Sequence, residues 1–103
     1  MSDLCLTLLC PPAIEEKLLD LLLLSPDVTV FTSTRTAAHG PHGLIARHLS
    51  PTEQVMGRAH ATEIKVIVAA ANQAALLEHI RRQFAGTGLR FWLTAVIDAG
   101  EIA

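Results

Sequence analysis

The sequence is short of charge. Charged residues fill 17 % of its 103 positions, against about 25 % in ordinary soluble domains. Neither sign dominates, and the formal net charge is −2. Phosphate neutralisation needs clustered Lys and Arg, so a general nucleic-acid binder is excluded. Long apolar runs are missing too. The leucine block Leu21 to Leu24 lies between Asp20 and Ser25-Pro26, far short of the ~18 residues a membrane span requires. Met1-Ser2-Asp3-Leu4 has no basic segment and no small-residue cleavage site, so no secretory signal is expected. Cysteine is limited to Cys5 and Cys10. Their odd spacing puts them on opposite sides of one strand, and it matches neither a zinc nor a redox pattern. A reducing, cytoplasmic setting follows. Ser33, Ser50 and Thr52 have no His and carboxylate at a recognisable motif spacing. Glu15 and Glu16 are adjacent and point apart on a helix. No catalytic set is present, and an enzyme is not expected.

What is there is apolar. Half of the chain is hydrophobic, although its aromatics are only Phe31, Phe84, Phe91 and Trp92. The length fits one domain over residues 1–103. A chain this apolar and this small has more apolar surface than one subunit can hide. Self-association is therefore expected.

The periodicities predict six elements. Leu4 to Leu9 reads as a strand covered on both faces. Pro11-Pro12 ends it and opens a helix, with Ile14, Leu18, Leu21 and Leu22 on one stripe. Val28 to Thr34 is a β-branched strand. Residues 37–61 lose the pattern and read as a long loop, with one helical turn at Pro51 to Gln54. Thr62 to Ala70 alternates as a third strand. Asn72 caps a helix from Gln73 to Phe84, with Leu76, Leu77, Ile80 and Phe84 inward. Gly86-Thr87-Gly88 terminates it. Leu89 to Ile97 is the fourth strand, with Trp92 and Val96 on one side. The order β-α-β-β-α-β is the α+β, ferredoxin-like split βαβ arrangement. Its two helices cover one sheet face. Leu9, Val68 or Ile67, Trp92 and Val96 then compete for the other, which marks an interface.

Two further groups carry chemistry. His39, His42, His48 and His60 crowd the 37–61 segment, and imidazole binds zinc, copper, nickel and cobalt. Solvated histidines with no shared ligand are the competing reading. Glu53, Gln54, Gly57 and Arg58, with Gly86, Gly88 and Arg90, are candidates to hold an anionic effector. A helix cap and local ion pairs compete with that reading.

Several stretches carry a resemblance. They are Leu18 to Leu23, Phe31-Thr32-Ser33, His39-Gly40, Leu49 to Arg58, Gly86 to Val96, and Val96 with Ile102. Together they resemble the PII superfamily, and more closely a small proteobacterial PII-like family often encoded beside heavy-metal efflux systems. The resemblance implies a homotrimer packed through its sheets, with Trp92 and Val96 in the interface. It implies effector clefts between subunits and a loop that engages a protein partner, such as a metal-efflux component. The sequence departs from the nucleotide-binding pattern: Leu89 stands where a lysine usually follows Gly-x-Gly, with Arg90 one residue on. It contains no tyrosine, which excludes tyrosine-linked uridylylation. The expected function is a PII-like regulatory or sensor protein for a small effector or divalent metal in heavy-metal homeostasis. An adenine-nucleotide sensor and a ligand-free interaction module are the alternatives.

Overall fold

The computed structural model describes residues 2–40 and 59–103. Four strands form one antiparallel sheet: β1 (Asp3–Cys10), β2 (Val28–Ala38), β3 (Ala59–Ala69) and β4 (Arg90–Val96), in the order β2-β3-β1-β4. Helix α1 (Glu15–Leu24) joins β1 to β2, and helix α2 (Ala70–Phe84) joins β3 to β4. This is the ferredoxin-like arrangement that the element order predicts.

Local chemistry explains the boundaries. Pro11 and Pro12 have no N–H for the sheet, and a 3-10 turn over Pro12–Ile14 leads into α1. Glu15 and Glu16 occupy its first turn, where the helix dipole favours acids. The Ser25 hydroxyl donates to the Leu21 carbonyl at 2.7 Å and closes the other end. Helix α2 begins earlier than expected. Asn72 lies inside its first turn and does not cap it; Ala69 is the cap residue and supplies no side-chain bond. Ala69 to Ala71 are strong helix formers, and the Ala70 N–H donates to the Ser2 carbonyl at 3.1 Å. A backbone acceptor has replaced the capping side chain.

Register sorts the strands into two faces. Leu6, Leu8, Cys10, Ile64, Val66 and Val68 are fully buried, packed with Leu18, Leu22, Leu77, Ile80 and Phe84 from the helices. Burying each such side chain contributes about 1.5–3 kcal/mol. Val68 is therefore core, and its neighbour Ile67 faces the other way. Phe91, Leu93 and Ala95 pair with Leu8, Leu6 and Leu4, so they share the helix-covered side. The edge position of β4 leaves Phe91 and Leu93 partly exposed. The Arg81 guanidinium lies 5.5 Å from the Phe91 ring centre.

The β2–β3 pair runs further than its sequence suggests. Thr36 pairs with Ala61, Ala37 with His60 and Ala38 with Ala59. The expected 37–61 loop thus gives up both of its ends to a ladder, and the connection spans 39–58. Alanines carry no alternation to read, whereas the ladder satisfies their backbone groups. The fourth strand spans Arg90–Val96, so Leu89 and Ile97 lie just outside it.

Candidate functional site

The face without helices is the first feature the fold leaves open. Its cross-strand rows follow from the register. Val96 sits beside Asp3 and Ala69, and Thr94 beside Cys5, Ile67 and Val30. Trp92 sits beside Thr7, Lys65 and Thr32, and Arg90 beside Leu9, Glu63 and Thr34. Trp92 and Val30 are 44 % and 54 % exposed. Val96 and Ile67 are half-buried. Lys65 reaches Glu63 at 3.6 Å. Thr7 is buried at the centre, its hydroxyl 3.9 Å from the Cys5 sulfur. Leu9 lies against Ala38, Ala59 and Ala61. Trp92, Val96 and Leu9 stand on this face as expected, and of the two alternatives Val68 and Ile67 it is Ile67 that does, Val68 being core.

The extended hairpin repositions two of the histidines. His60 belongs to strand β3 rather than to a loop. It lies opposite Ala37, on the helix side of the ladder. His39 follows the end of β2 and is exposed. Both therefore stand at one end of the sheet. His79 is on α2, its ring nitrogen 3.0 Å from the Gln83 amide nitrogen. Among the described residues no three His, Cys, Asp or Glu side chains are grouped to hold a metal ion. His42, His48, Glu53, Gln54, Gly57 and Arg58 lie outside the described residues, as does the turn at Pro51 to Gln54.

The glycine turn is built as a helix terminator. Gly86 and Gly88 have φ of +79° and +90°, conformations that side chains disfavour. The Thr87 hydroxyl donates to the Phe84 carbonyl at 2.6 Å and accepts from the Leu89 N–H at 3.4 Å. The Thr87 N–H also donates to the Phe84 carbonyl. Two of the turn's N–H groups are thus spent on its own closure. Arg90 begins β4 and is exposed.

Sequence reasoning misses two concavities. One, of about 610 Å³, lies over the two helices and is lined by Lys17, Asp20, Leu24, Ala75 and His79 among others. The other, of about 570 Å³, lies at the Asp3 end of the open face. Asp3, Thr29, Val30 and Ile67 line it together with Ala99, Gly100 and Glu101. The segment after β4 therefore crosses towards β2. Residues from separate elements form both concavities, so no local motif announces them.

Cys10 is no nucleophile. It has no exposed surface, its sulfur contacts the Pro11 carbonyl at 3.3 Å, and burial with nearby Glu15 pushes its thiol up to about 12. The Thr62 hydroxyl donates a short hydrogen bond to the Glu15 carboxylate, tying α1 to β3.

These features define an α+β domain with both helices on one side of an antiparallel sheet and, on the other, an open face that mixes apolar and polar side chains. A family described as "Protein of unknown function (DUF3240)" matches residues 1–103, and the chain belongs to it. The chain is also similar to the crystal structure of a DUF3240 family protein from Shewanella baltica OS155. The identity is 16 % and the TM-score 0.80, covering 100 % of this chain and 99 % of that one. At that identity the likeness concerns the fold. No curated protein matches the chain.

Proposed function

We propose that this chain is a non-enzymatic, PII-like regulatory protein that works as a homotrimer. Three open sheet faces pack around a common axis, with Trp92 and Val96 inside. Effector clefts form between neighbouring subunits. The β2–β3 hairpin and the 39–58 connection report occupancy to a protein partner. The effector is a small molecule or a divalent metal, and the setting is heavy-metal homeostasis. One observation carries this reading: the sheet places Val30, Ile67, Trp92 and Val96 together on its helix-free face. Apolar side chains left exposed on one face mark association surfaces, and cyclic symmetry is the ordinary way to close them. The placement of His39 and His60 at one hairpin end supports the metal version, because three-fold symmetry multiplies each ligand by three.

Light scattering at micromolar concentration tests the assembly. The expected mass is about 33 kDa, three chains of 11.1 kDa, and a monomer overturns it. Calorimetry with Zn²⁺, Cu²⁺, Ni²⁺ and Co²⁺ tests the effector. Binding that His39→Ala/His42→Ala abolishes supports the metal version. No heat with any of the four ions eliminates it.

A further inference from the structure

The open face does not end at the last strand. After Val96 the chain crosses the sheet at its Asp3 end, and Ala99, Gly100 and Glu101 wall a cavity there with Val30 and Ile67. Yet the two isoleucines that flank this crossing, Ile97 and Ile102, are fully exposed. A side chain of that size gains most from burial, and nothing among the described residues of the same subunit covers either one.

The charges on the face are also sorted. Asp3 and Glu101 line the cavity at the crossing end, and Asp98, exposed, lies in the segment that leads to it. Arg90 stands at the other end, beside Leu9, and makes no ion pair among the described residues. Lys65, between the two ends, is paired with Glu63 within the subunit. One face therefore carries acids at one end and, among the described residues, one unpaired cation at the other, where Glu63 is already taken by Lys65; Trp92, Thr94, Ile67 and Val30 lie between. Such a face is complementary to a copy of itself set head to tail.

We infer that residues 97–103 form an assembly arm whose occupant is a second copy of this chain. Ile97 and Ile102 of one copy bury against the open face of the next, and Glu101 and Asp98 meet its Arg90. In the cyclic trimer proposed above this contact is heterologous, each arm meeting the face of the next copy. This rests on the proposed association through the open face and adds to it the arm and the head-to-tail polarity.

Charge reversal read by light scattering and analytical ultracentrifugation tests the arm. All the substituted side chains are exposed, and circular dichroism checks that each variant keeps its fold. Arg90→Glu and Glu101→Arg are each expected to raise the dissociation midpoint at least tenfold. Arg90→Glu/Glu101→Arg together are expected to recover most of the loss, because the pair is restored with its signs exchanged. Ile97→Ser/Ile102→Ser is expected to weaken assembly comparably. Arm variants that assemble like the parent while Trp92→Ser falls apart would overturn the arm and leave the open-face reading standing. Failure of the double reversal to recover assembly overturns the head-to-tail register. A monomeric parent overturns both readings.

Discussion

Cys10 ionises only with difficulty in the fold, and this has a consequence in base. Burial, then the charge of Glu15, pushes its thiol from an ordinary 9.0 up to about 12. Between those values the unfolded chain has released a proton that the folded chain still holds. Stability therefore falls as pH rises from about 9 towards 12. Urea unfolding at pH 8 and pH 10.5 is expected to show the decline, and Cys10→Ala to flatten it. Cys10 is also expected to resist thiol reagents at pH 8 until the protein unfolds. A second residue-scale test concerns Thr62, which is buried and donates to Glu15. Thr62→Val keeps the shape and removes the donor. The carboxylate loses a charge-assisted bond, and the expected loss is about 1–3 kcal/mol by urea denaturation.

At the scale of elements, the glycine turn after α2 separates backbone cost from packing cost. A Cβ added at Gly86 meets nothing within 4 Å, while its φ is +79°. Gly86→Ala should therefore lose only the conformational cost, about 1–2 kcal/mol, with an unchanged assembly state. A core substitution behaves differently: Leu22→Ala in α1 is expected to cost about 2–5 kcal/mol, since Leu22 is almost fully buried. Chemical denaturation ranks the two. The α2 stripe was legible in full, because Leu76, Leu77, Ile80 and Phe84 recur at helical spacing and are the residues the helix buries. The start of α2 was not. Asn72 looks like a cap by residue type, but the acceptor or donor that actually serves a helix end can come from anywhere in the chain, here from Ser2. Likewise Ala37, Ala38 and Ala59 to Ala61 carry little strand pattern. Only their pairing with one another makes them β.

At the scale of the whole molecule, the balance between core and open face sets the behaviour. Trp92→Ser is expected to leave the monomer fold intact, because Trp92 is not part of the helix-covered core. It should abolish the concentration dependence of Tm that an assembled parent shows, and differential scanning calorimetry across a hundredfold dilution reads that difference. Of the candidate site residues, Trp92 and Val96 were placeable from alternation alone. His60 was not: by composition it belongs with the other histidines of a loop, and by pairing it belongs to β3. Gly86 and Gly88 were legible as a turn, and the hydrogen bonds of Thr87 show how that turn is closed.

The low charge and apolar surplus, the two helical stripes and the alternation of β3 and β4 were determined by the sequence itself. These are local properties: a side chain's direction follows from the 3.6- or 2-residue period of its own element. The tertiary structure decided what is non-local. It decided which sheet face the helices cover, how far β2 and β3 pair, and that Asp3, Val30 and Glu101 line one cavity. Each of these depends on backbone groups and side chains distant in the chain finding one another, and no window of neighbouring residues encodes that.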